Sequence, residues 1–217
     1  MVMTPSAVVA SDLGGHANLR VIPWGVDPAF SPDPGPTDIE LREAVPHLPE
    51  GPFVLCLGGA RPKKRLDLVV AGAAASTPPL GVVCTGATTP ESEALAATFP
   101  GLLLTGVLDP SLIPALLRAS SCSAILSTSE GFGLPALESL RCGTPLVVAR
   151  GTVQAETAAG FGIEVNPNDP ASVAAGFAEA REESEASARR TGGLAHAQAM
   201  TWERTAGELV SAWGSLI

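Results

Sequence analysis

The sequence predicts an α/β protein: a parallel sheet with helices on both faces. Three observations lead there. Short apolar runs of strand length recur from Phe53 onward, each followed by a glycine or proline turn and then a helical stretch. Strand and helix alternate through six such runs, the pattern of right-handed crossovers between parallel strands. The composition supplies the core, with 46% hydrophobic residues in a chain of 217.

In chain order, Val2-Met3-Thr4 reads as a strand stub, followed by a short helix with Pro5 at its first position. Leu19 to Ile22 is a strand. It runs into PWGVDPAFSPDPGP, residues 23–36, whose proline and glycine content marks a linker. Thr37-x-x-Glu40 is a capping-box signal for a helix to about Val45. The regular pattern then begins with strand Phe53–Leu57, the Gly58-Gly59 turn, a basic loop, and a helix from about Arg65 to Ala75. Strand Leu80–Cys84 precedes a helix from Pro90, for which Thr88-x-x-Glu91 is the candidate cap. Strand Leu102–Leu104 is followed by a helix opened by Asp109-Pro110 and closed near Ala119. Ala124-Ile125-Leu126 and Leu146-Val147-Val148 flank the stretch Ser127–Pro145. A helix at Gln154–Ala159, a strand at Gly162–Val165 and a helical region from Asp169-Pro170 complete the pattern. Gly192-Gly193 is expected to interrupt that region, and Thr201 to cap the last helix. Residues 179–190 read as a solvated helix face.

The stretch STSEGFGLPALESLRCGTP, residues 127–145, organises the rest. It is a strand–loop–helix–strand unit, with Gly143 where a C-terminal helix cap needs glycine. Parallel sheets bind ligands at the carboxyl ends of their strands, where this loop lies. A diphosphate needs aligned N–H donors and a cation. Gly58-Gly59 with Lys64, and Gly131-Phe132-Gly133 before the helix at Leu134, offer both. Glu138, about one turn into that helix, can accept from the adjacent hydroxyls of a ribose, and Glu130 can face a sugar beyond the phosphates. Together they describe a site for a nucleoside-diphosphate sugar.

The formal net charge of −9 argues against non-specific nucleic-acid binding. Against it, Arg61, Lys63, Lys64 and Arg65 make a local positive patch suited to a small anion. Cys56, Cys84, Cys122 and Cys142 are widely spaced and read as reduced core thiols of a cytosolic protein. No apolar run approaches membrane-spanning length, and the N-terminus shows no signal-peptide pattern. No G-x-G-x-x-G follows the first strand, which weighs against a dehydrogenase.

The ordered set of motifs closely resembles the donor half of the retaining glycosyltransferases of family 4, which have the GT-B fold. EGFGLPALE, from Glu130 to Glu138, followed by CGTP, is similar to that family's donor-site signature. VIPWGVDPAF resembles its "V-I-P-N-G-V-D" loop, with Trp24 in place of Asn. LGGARPKKRL resembles the mannosyltransferase-like form of the first donor loop, with Lys64 on the phosphate-binding lysine and Gly59 where many relatives carry Arg. QAETAAGFGIEVNPNDP matches the "P-E-V" segment, with Gln154-Ala155 replacing the usual Pro before Glu156. TWERTAGELVSAW is similar to the closing helix.

The resemblance implies a Rossmann-like donor-binding domain over residues 51–200, the C-terminal half of a GT-B fold. Residues 1–22 would be the end of an N-terminal domain, 23–50 a linker with a short helix, and 201–217 the closing helix. Glu130 and Lys64 would be catalytic, Glu130 at the transferred sugar and Lys64 at the diphosphate. Gly58, Gly59, Gly131, Phe132, Gly133, Leu134 and Glu138 would complete the donor site. The donor would be GDP- or UDP-linked, with no further cofactor and no metal, since no Asp-x-Asp motif occurs. An acceptor domain or partner chain would supply the other half, and His16, His47 and His196 would not be catalytic. Trp202 and Trp213 would then form an exposed patch on the closing helix. The expected location is cytoplasmic, open to peripheral membrane association. Two functional readings stay open: the donor half of a transferase, or a stand-alone nucleotide-sugar binding module without transferase activity.

Overall fold

The computed structural model describes residues 1–14 and 18–215. His16 and positions 216–217 of the expected closing helix lie outside them. A small parallel sheet pairs β1 (Val2–Thr4) with β2 (Leu19–Val21) across α1 (Ala7–Asp12). The main sheet contains β3 (Phe53–Leu57), β4 (Gly81–Thr85), β5 (Leu102–Gly106), β6 (Cys122–Ile125), β7 (Leu146–Ala149) and β8 (Ile163–Val165). Its order is β5-β4-β3-β6-β7-β8, with every neighbouring pair parallel. The chain starts in the middle at β3, winds outward to β5, and returns beside β3 as β6. That reversal makes the carboxyl ends of β3 and β6 the topological switch point, the place where open α/β sheets bind ligands.

Both faces of the inner strands β3, β4, β6 and β7 are buried because the side chains alternate between two apolar layers. Val54, Val82, Ala124 and Val147 meet α3 (Leu66–Ala75) and α8 (Pro170–Glu182), with Phe177 fully buried there. Leu55 and Val83 meet α2 (Pro36–Ala44) and α5 (Ile113–Ala119) on the other face. Ile125 and Val148 meet α6 (Leu134–Arg141), with α9 (Ala188–Ala199) outside it. α4 (Pro90–Thr98) and α7 (Val153–Ala158) follow β4 and β7. The four cysteines are buried free thiols. Burial pushes Cys84 to about 11 and Cys122 to about 12, so they are protonated and inert at neutral pH.

Several local expectations need correction. Pro5 precedes α1; Ser6 is its cap, accepting from the Val9 N–H at 3.2 Å. α2 starts at Pro36, and the Asp38 carboxylate accepts from the Gly35 N–H at 2.8 Å, so Thr37 and Glu40 form no box. Thr89 and Ser92 cap α4, instead of Thr88 and Glu91. Gly192-Gly193 lies inside α9; the break falls at 183–187, where Ser187 caps α9. A Cβ on Gly192 would sit 2.4 Å from the Phe161 ring, so the pair lets α9 press against it. At Gly143 the expectation holds: its N–H donates to Leu140 O at 3.0 Å and that of Thr144 to Ser139 O at 3.0 Å, a complete Schellman motif.

α10 (Trp202–Gly214) crosses from the main domain toward the small sheet. The Thr205 hydroxyl donates to Pro23 O at 2.8 Å, and the Val26 N–H to Met200 O at 3.0 Å. Trp202, Val210 and Trp213 remain exposed at 45%, 65% and 57%. No helix among the described residues is long and apolar enough to cross a membrane.

Candidate active site

Two loops meet at the switch point. After β3, the chain passes Gly58-Gly59 and tightens into a 3₁₀ turn at Pro62–Lys64. Arg65 takes a left-handed conformation (φ 53°) that turns it into α3. The second loop follows β6 and ends at α6. The Thr128 N–H donates to Lys63 O at 3.0 Å and ties the loops together.

The Lys64 ammonium then lies 2.7 Å from Glu130 Oε1, and that of Lys63 3.6 Å from Oε2. Both Lys64 and Glu130 are largely buried, with side chains 11% and 18% exposed. Burial pushes the Glu130 carboxyl up, but the hydrogen bond and charge of Lys64, the Ser127 hydroxyl and the Lys63 charge together hold it below its ordinary range. Glu130 is therefore an anion with two cations beside it. The basic patch read from the sequence divides here: Lys63 and Lys64 face Glu130, whereas Arg65 turns to Asp67 at 3.3 Å. Arg61 lines a separate hollow with Leu66, Glu91 and Leu95.

Gly133 precedes α6 in the left-handed region (φ 88°), a conformation that favours glycine. Its carbonyl accepts from the Ala136 N–H at 2.8 Å. Phe132 anchors the loop by burying its ring among Val26, Ile125 and Leu137. This brings the amides of Phe132, Gly133 and Leu134 to the positive end of the α6 dipole. Gly131 is exposed in front of them.

The Gly58-Gly59 turn serves differently from the sequence reading. The Gly59 N–H donates to Thr85 O at 2.8 Å and that of Ala60 to Ala87 O at 3.0 Å, so neither is offered to a ligand. A Cβ on Gly59 would lie 2.9 Å from Ala87 O, at φ 85°. There is thus no room here for the arginine that the resembling family often carries. Gly58 lets the Lys64 ammonium approach to 3.1 Å from where a Cβ would stand.

Glu138 lines a cavity of about 610 Å³ with Asp27, Phe30, Ser111, Ile113 and Arg118. The linker forms one wall and the β5–α5 connection the other. Burial raises the Glu138 carboxyl to about 7, against the opposing charge of Lys64. Asp27, Phe30 and Ser111 were not singled out from sequence as site residues; the VIPWGVDPAF resemblance covers the first two, and no motif marked Ser111. A second cavity of about 770 Å³, beside Pro52, Ser121 and Pro145, shares Arg118 with the Glu138 cavity. His196 Nε2 pairs with Thr157 O at 3.0 Å, and His47 is exposed.

Residues 38–192 match the family described as glycosyl transferases group 1. The chain belongs to this family. A D-inositol 3-phosphate glycosyltransferase of Acidothermus cellulolyticus is 31% identical over 86% of this chain and 46% of its own length. That of Salinispora arenicola is 31% identical over 92% and 50%. The chain thus spans about half the length of these curated group 1 relatives. Among solved structures, Anabaena HepE in complex with UDP-glucose matches with a TM-score of 0.82 at 19% identity, over 99% of this chain and 64% of that one. A Rickettsia africae glycosyltransferase matches with a TM-score of 0.84 at 17% identity, over 99% and 62%. These likenesses give the group 1 chain the sheet and helices of the GT-B glycosyltransferases.

Proposed function

We propose that this chain is the donor-binding half of a retaining glycosyltransferase. It takes a hexose from a GDP- or UDP-linked donor and works with an acceptor domain or partner chain. The Lys64–Glu130 pair beside the α6 amides is the observation that carries this reading. In sugar transfer the departing diphosphate gains negative charge. Lys64, supported by Lys63 and the α6 dipole, meets that charge, which is why we propose metal independence. Glu130 faces the sugar at the strand end, and Glu138 accepts from the ribose hydroxyls. The half-length match and the apolar surface of Trp202, Val210 and Trp213 support a missing acceptor side. The similarity to D-inositol 3-phosphate glycosyltransferases makes an inositol phosphate the first acceptor to try.

The test is to join residues 1–217 to the N-terminal half of the Acidothermus relative and supply UDP- and GDP-hexoses with D-inositol 3-phosphate, in EDTA. Transfer with the donor's anomeric configuration kept in the product supports the reading. Transfer that needs a divalent cation, or inverts the configuration, refutes the corresponding part. Donor binding without transfer in a folded chimera favours a binding module.

A further inference from the structure

The carbonyls of the donor loop are held from behind by two other parts of the chain. The Ser6 hydroxyl donates to Gly131 O at 3.1 Å, and the Thr157 hydroxyl donates to Phe132 O. Ser6 is 1% exposed and Thr157 6%. A peptide whose carbonyl is pulled toward the protein presents the following N–H on the opposite side. These two bonds therefore aim the amides of Phe132 and Gly133 outward, into the crevice.

Ser6 and Thr157 are linked to each other. Thr157 lies on α7, and its neighbour Glu156 reaches the amino end of α1. There Glu156 Oε1 accepts from the Ala7 N–H at 2.6 Å and Oε2 from the Val8 N–H at 2.9 Å. Ser6 caps that same helix. Gln154, also on α7 and fully buried, packs its Cγ 3.3 Å from where a Gly133 Cβ would stand, and its Nε2 lies 3.5 Å from Ser127 O.

We propose that α7 and α1 form one relay that sets the pitch of the donor loop, with Glu156, Ser6 and Thr157 as positioning residues. Glu156 fixes α1, α1 fixes Ser6, and Ser6 with Thr157 fixes the peptide planes that meet the diphosphate or sugar. Movement of residues 1–14 is thereby transmitted to the donor amides. The role in donor binding rests on the function proposed above; the mechanical coupling does not.

Two readouts separate these. The first is the backbone amide NMR chemical shifts of residues 131–134 in the ligand-free protein. The relay predicts that the Phe132 and Gly133 shifts move in Thr157→Val and Ser6→Ala, and also in Glu156→Gln, which touches neither peptide directly. Thr157→Ser keeps the hydroxyl and retains the original shifts. Unchanged Phe132 and Gly133 shifts in Glu156→Gln overturn the relay, as do changes spread evenly over the whole chain. The second readout is titration with UDP and GDP. Affinity falls by roughly three- to tenfold in Thr157→Val, Ser6→Ala and Glu156→Gln, the factor expected for one lost hydrogen bond, and Ser6→Ala with Glu156→Gln is no worse than the weaker single variant. Additive losses overturn the coupling. If the unsubstituted protein binds neither nucleotide, the donor-site reading fails, and the chemical shifts still decide the relay.

Discussion

The Lys64 ammonium stands 2.7 Å from the Glu130 carboxylate, joining the loop after β3 to the loop after β6. The two residues come from strands that are neighbours only because the winding reverses between them. A largely buried cation and a carboxylate are thus placed side by side by the topology of the sheet.

Removing the cation leaves Glu130 charged and part-buried. Lys64→Ala is expected to cost about 1–3 kcal/mol of stability at pH 7. Glu130 titrates below its ordinary 4.5, so its stabilisation is present above that value and lost as pH falls through the folded-state value. The gap between Lys64→Ala and the unsubstituted protein should therefore shrink as pH falls below 4.5. Urea unfolding at pH 7 and pH 3.5 measures it; a gap that does not change with pH argues against the ion pair.

Glu138 has the opposite sign. Its carboxyl is raised from 4.5 to about 7, so between those values the unfolded chain loses the proton while the folded chain keeps it. Stability falls as pH rises through that window and levels off above it. Glu138→Gln should remove the slope and gain about 1–3 kcal/mol at pH 8, since a buried carboxylate no longer has to ionise. Equal pH slopes in the two proteins would refute the assignment.

Much of this was legible in the sequence. The strands, the α6 unit and its Schellman end each depend on a few neighbouring residues, and Gly143 announces the last. Short-range signals failed where two candidates stood side by side, as with Thr88 and Thr89, or where tertiary contact overrode propensity. Gly192-Gly193 reads as a helix break, yet stays helical because Phe161 needs the space. The division of the basic patch left no motif, and the segment resembling "P-E-V" contains Glu156 and Thr157 without showing that they, with Ser6, hold the loop before α6. Both features depend on contacts between residues far apart in the chain.

The junction between linker and closing helix offers a matched pair of variants. A Cβ on Gly25 would lie 2.2 Å from the Trp202 nitrogen, whereas one on Gly207, exposed on α10, meets nothing within 4 Å. Gly25→Ala should cost about 2–4 kcal/mol and free α10 from the linker. Gly207→Ala should gain up to about 1 kcal/mol. Thermal unfolding, with tryptophan fluorescence reporting on Trp24 and Trp202, whose rings lie 6.4 Å apart, distinguishes them. Equal effects would mean the junction is not a tight contact.

Binding of a nucleoside diphosphate in the crevice between β3 and β6 is measured by calorimetric titration with GDP, UDP and ADP in EDTA, on the unsubstituted protein, Lys64→Ala and Glu138→Ala. The expected result is binding of one nucleotide at micromolar to millimolar strength, weakened about tenfold or more in both variants. Binding that neither substitution alters, or no binding by the folded protein, would contradict it.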